Sequence, residues 1–184
     1  FISLLSPFCQ GVVINEVDAL TTEAPQFVEL YGSESLDLNG YTLALIKSVW
    51  LGGGAYGVEI YNAISLEGQT LDSQGFLAFE LDLNTTVAAV AIYELDTSML
   101  VVGDTPPTDD IIDAVVYGNT SPTHPQAAII IQAIMPIGSG LLYEGTEENS
   151  IGHSLSRLPD GGGAFDLNSY VLQAPSIGAT NVLS

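Results

Sequence analysis

The chain has 184 residues, of which 47% are hydrophobic and 13% charged; 22 Asp and Glu face two Lys and Arg, a formal net charge of −20. That length is enough for one domain with a sizeable core, and the hydrophobic content excludes a disordered acidic segment. So few cations leave almost nothing to neutralise phosphates, which excludes sequence-tolerant nucleic-acid binding; cations, cationic surfaces and mineral faces remain open as partners through the protein's field.

Residues 1–11, FISLLSPFCQG, form an apolar extension ahead of a domain over 12–184. The extension is too short to span a bilayer and lacks the basic start of a complete signal peptide. Three readings are open: it packs on its own domain, it is a strand donated to a neighbouring subunit, or it is a signal remnant. In the donated-strand reading Phe1, Ile2, Leu4, Leu5 and Phe8 carry the assembly contact. Cys9, the only cysteine, excludes an internal disulfide and a Cys-rich zinc site. It reads as a small packing residue or, failing that, an intermolecular bridge.

Short apolar runs then recur between Gly, Asn, Asp, Ser and Pro punctuation, the pattern of an all-β domain. Strands are expected at VVINEV (12–17), QFVELYG (26–32), GYTLALIK (40–47) and GVEIYNAI (57–64). Further strands are expected at GFLAFELD (75–82), VAAVAIYEL (87–95) and IIDAVVYG (111–118). AAIIIQAI (127–134) fits a short buried strand or a buried helix by periodicity, and the β-branched run favours strand. LGGGAYG (51–57), VGDTPPTDD (102–110) and DGGGA (160–164) read as loops, the last a turn with positive φ.

The order of these segments resembles the lamin tail domain family, an immunoglobulin-like β-sandwich. VVINEV and FVELYG are similar to its first two strands, LDLNGYTL (36–43) to its next turn-and-strand signature, and LDSQGFLAF (71–79) to a later one. DDIIDAVVYG (109–118), SLSRLPDG (154–161) and APSIGATN (174–181) resemble the closing elements, so the likeness spans 12–181. The apolar extension and insertions around 48–56 and 119–150 depart from it. No heptads and no basic import run are present, so the rod and nuclear context does not carry over. The resemblance implies an architecture used in binding and structural modules, and it assigns no activity.

Alternation places Phe27, Glu29 and Tyr31 on one face of their strand, and Val12, Ile14 and Glu16 on one face of theirs. Glu16 and Glu29 thus lie in apolar strands, where an unpaired carboxylate is costly. Arg157 is the cation suited to them, with Glu29 expected as its partner first and Glu16 second.

Catalytic patterns are thin. His124 and His153 lie in polar loop contexts with no nucleophile elbow, and LGGGAYG lacks the Lys-Ser/Thr of a phosphate loop. Acidic pairs are too numerous for any one to single out a hydrolase. A hard cation such as calcium would take Asp104, Asp109, Asp110 and Asp113; Glu144, Glu147 and Glu148 form a second acidic cluster. Neither has the spacing of an EF-hand loop. Two sequons, at Asn84 and Asn119, fit an extracellular or cell-surface setting. The expectation is a non-enzymatic extracellular structural module that self-associates by strand donation, as a homo-oligomer or a filament; the alternative is a calcium-dependent domain for a glycan, mineral or cationic partner.

Overall fold

The computed structural model describes residues 11–20, 25–119, 124–136, 140–144 and 152–182. In chain order the strands are β1 (Val13–Asp18), β2 (Phe27–Tyr31), β3 (Thr42–Gly52), β4 (Ala55–Ser65) and β5 (Phe76–Glu80). They continue with β6 (Val87–Tyr93), β7 (Ile111–Gly118), β8 (Leu142–Tyr143), β9 (Ser154–Arg157) and β10 (Tyr170–Gln173), and one α-helix, α1 (Pro125–Ile134), separates β7 from β8. Two five-stranded sheets result, ordered β10-β9-β1-β2-β5 and β4-β3-β6-β7-β8. All pairings are antiparallel except β7 with β8. Among the described residues the fold is an all-β sandwich carrying one α-helix.

Alternation along the strands builds two cores. Leu43, Leu45, Val90, Ile92, Val115 and Tyr117 face the first sheet's Ile14, Val17, Val28 and Leu30, and fill the space between the sheets. The opposite faces of β3, β6 and β7 carry Ala44, Ile46, Ala89, Ala91, Tyr93, Ala114 and Val116, a second apolar surface needing its own cover. The helix supplies that cover with Ala127, Ile130 and Ile134. The segment AAIIIQAI is therefore helical, against the strand expectation. Pro125 occupies the first turn, where its missing N–H costs nothing, and His124 caps the end, its Nδ1 accepting from Gln126 N at 3.4 Å. The LGGGAYG segment is likewise not a loop insertion: β3 and β4 run into it as a hairpin.

Alternation of β9 turns Leu155 and Arg157 toward the other sheet. Arg157 is wholly buried, and its partner is Asp113 on β7, Nη2 to Oδ2 at 2.8 Å. The expected pairing with Glu29 or Glu16 does not form. A bulge at Asn15 shifts the register between Ile14 and Glu16, so these two residues do not share a face. Glu16 and Glu29 look outward; Asp113, in step with Val115 and Tyr117, looks inward. Arg157 also donates from Nε to Ile14 O at 2.7 Å and from Nη1 to Gly163 O at 2.6 Å. The ring of Tyr170 lies 4.7 Å from its guanidinium carbon. Asp113 in turn accepts from Ile14 N at 2.9 Å and Phe165 N at 2.7 Å.

Removing either member strands a buried charge. Arg157→Met is expected to lower stability by on the order of 3–5 kcal/mol in urea titrations. The double variant R157M/D113L is expected to lose clearly less than the sum of its two single variants; simple additivity would show that the pair is not coupled.

Candidate functional site

The four aspartates proposed for a cation are not gathered. Asp104, Asp109 and Asp110 are exposed on the β6–β7 connection, whereas Asp113 is turned into the core and engaged by Arg157. Among the described residues no group of three or more His, Cys, Asp or Glu is placed to hold a metal ion. Of the second acidic cluster, Glu147 and Glu148 lie outside the described residues. So do Cys9, Phe1, Ile2, Leu4, Leu5 and Phe8. Glu144 follows β8 and is fully buried, its Oε1 accepting from Ala19 N at 3.0 Å and Leu20 N at 3.3 Å. It thus clasps the end of β1 from the opposite sheet. Burial, opposed by the Ala19 amide and reinforced by Asp18, pushes its carboxyl up to about 7.

Glu16 and Glu29 have a different task from the one their positions implied. They sit on the outer face of the first sheet beneath residues 174–182, which cross it without ladder pairing. Three carboxylates hold this strap by its backbone: Ser176 N donates to Glu16 at 3.1 Å, Gly178 N to Glu29 at 2.5 Å, and Asn181 N to Asp160 at 3.2 Å. Asn15 joins the set from the bulge, its Nδ2 lying 3.0 Å from both Glu29 Oε1 and Asp160 Oδ1. Ser154 Oγ donates to Glu16 Oε1, and Ser176 Oγ to Glu16 Oε2 at 2.9 Å. Burial, with help from Glu16 and Asp160, pushes the Glu29 carboxyl up to about 7 against the Gly178 and Asn15 donors. Asp160 and Asn15 escaped the sequence reading, in which APSIGATN figured only as a segment resembling a closing element of the family.

The remaining candidates stand at the surface. His153 is exposed, and His124 is occupied as a helix cap. Asn84 and Asn119 are half-buried near one end of the second sheet, where Asn119 N donates to Thr86 O at 3.1 Å. Asn84 Oδ1 folds back to accept from Thr86 N and Thr86 Oγ1.

Among the described residues, the β3–β4 hairpin forms an apolar projection. β6 pairs with β3 only from Thr42 to Lys47, so the ladder from Ser48↔Val58 outward has two strands. Gly53 and Gly54, at φ 62° and 88°, make the tight turn. Trp50 packs edge-on against Tyr56 with centroids 4.9 Å apart, and Leu51 lies over Gly57 on the other face. Trp50 and Leu51 remain 56% and 67% exposed, a large apolar surface turned toward solvent.

No family model, curated protein or solved structure matches the chain. Among the described residues no helix is long and apolar enough to cross a membrane, which says nothing of membrane β-barrels.

The raised carboxyls give a pH signature. Glu29 and Glu144 both move from 4.5 to about 7 on folding, so between those values the folded state holds the protons more tightly. The stability this confers is complete below about 4.5 and is lost as pH rises through about 7, up to about 3 kcal/mol per group. Thermal melts from pH 4.5 to 8 should show the decline, and E29Q should flatten it. An E29Q slope equal to that of the parent chain would show that Glu29 titrates at its ordinary value.

Proposed function

We propose that the chain is a non-enzymatic extracellular structural module, an immunoglobulin-like sandwich of the lamin tail type, that self-associates by accepting a neighbour's strand at an open sheet edge. The observation that carries the reading is β5. It ends the first sheet, pairs only with β2 among the described residues, and runs from buried Phe76 through half-buried Leu77, Ala78 and Phe79 to one exposed charge, Glu80. An unprotected apolar edge is a template for another strand. The occupant is the apolar segment 1–10 of a second copy, with Phe1, Ile2, Leu4, Leu5 and Phe8 as its anchors. The use made of the polar residues also favours a structural role: Arg157, Asp113, Glu16, Glu29 and Glu144 all bond the chain's own backbone. The two neighbouring sequons fit the extracellular setting.

Sedimentation and electron microscopy of the full chain test the reading. Higher-order species are expected; a chain lacking residues 1–10 is expected to be monomeric with an unchanged melting temperature. A78K, which puts a charge on the β5 edge, is expected to weaken assembly too. Unchanged assembly in the shortened chain would sink strand donation.

A further inference from the structure

We propose that the tip of the β3–β4 hairpin docks into the interface of a zwitterionic lipid surface. The arm carries the chemistry such an interface takes: one Trp, one Tyr and one Leu on a rigid two-stranded support with a glycine turn. Residues 48–58, SVWLGGGAYGV, contain no charge. Beyond Lys47 the β3 strand runs on through Gly52, a reach of about 17 Å past the last residue paired to β6. That length exceeds the roughly 5–10 Å to which interfacial elements bury their apolar side. Trp and Tyr are the side chains that settle at the headgroup level, with an apolar body and a polar tip.

Charge selects the lipid and argues against other occupants. The body of the molecule is strongly anionic, at −20 overall, and would be repelled by an anionic bilayer. The arm is the local exception. At its root Lys47 pairs with Glu59 at 3.3 Å, so the stretch from Lys47 to Glu59 is neutral. Lys47 is also the chain's only lysine, and the other cation, Arg157, is buried. The sole surface Lys or Arg therefore stands behind the apolar tip and is neutralised by Glu59, so the root adds no net charge that a zwitterionic headgroup layer would repel.

Trp50 is the only tryptophan, so the intact chain reports its own insertion. Phosphatidylcholine vesicles are expected to shift the Trp emission to the blue and to carry the protein down on sedimentation. L51S is expected to lessen the shift, and W50S to lower sedimentation roughly tenfold, while both keep the parent's circular dichroism and melting temperature. No shift and no sedimentation with phosphatidylcholine would overturn the proposal. So would binding confined to phosphatidylglycerol vesicles, or a lipid-independent shift that grows with protein concentration, which would mark a second copy as the occupant. Equal sedimentation of W50S and the parent chain would place any lipid contact elsewhere and overturn it as well.

Discussion

Ile14 and the two charges that meet its peptide groups set the geometry on which the rest of the sandwich depends. β9 pairs with β1 only at Glu16 and Val17, so the backbone of Ile14, just across the bulge, has no ladder partner on that side. A buried peptide group left without a partner is costly. Its N–H is taken by Asp113 and its C=O by Arg157 and by the hydroxyl of Tyr170. The bulge and the ion pair thus require each other: the bulge releases the peptide groups, and the pair from β7 and β9 collects them. The chain has one cysteine and hence no internal disulfide, and this contact joins the two sheets in the manner of a polar rivet. The same guanidinium reaches Gly163 O, fixing the loop between β9 and β10 from inside.

The acidic composition has a related cause. Many carboxylates serve as acceptors for amides that no strand can satisfy. Asp72 accepts from Gln74 N and Phe76 N at a turn, Asp96 from Ser98 N, and Asp37 from Asn39 N. At exposed turns this costs little, and the Asp72 carboxyl is held below its ordinary range by the amides of Phe76 and Gln74. Under the strap the same device operates out of water. Hydrogen bonds to charged groups contribute about 1.5–3 kcal/mol, but desolvation works against them. The upward shift of Glu29 shows that desolvation is the larger effect there. The amides of the strap thus favour the charged form of Glu29 while burial disfavours it more strongly, unlike at the turns.

Seven strands were legible because β-branched and aromatic residues there alternate between turn signals. The short strands β8, β9 and β10 were not, since two to four residues give too little alternation to read. The helix was concealed by its isoleucines, whose strand preference lost to the need to cover Ala89, Ala91 and Tyr93. Arg157 was recognisable as a structural cation from its rarity, yet its partner was not. A bulge of one residue reverses which side chains face the core, and nothing in VVINEV announces that Asn15 is the extra residue. Asp113 lay in plain view at an alternating position of IIDAVVYG, but its exposed neighbours Asp109 and Asp110 drew it into an apparent acidic cluster.

The disposition of the cations limits how this molecule can touch anything else. With Arg157 enclosed and Lys47 held by Glu59 and set 5.6 Å from the ring centroid of Tyr61, no lysine or arginine is free for a salt bridge to a partner. A surface of one sign cannot form complementary patches with a copy of itself, so polar recognition between like chains is disfavoured at every orientation. Contacts between copies, or with an uncharged surface, must rest on apolar side chains and backbone hydrogen bonds, which carry no charge. The described structure offers those, among other places, at the β5 edge and on the arm with Trp50 and Leu51. They belong to different sheets, so one can be occupied while the other remains open.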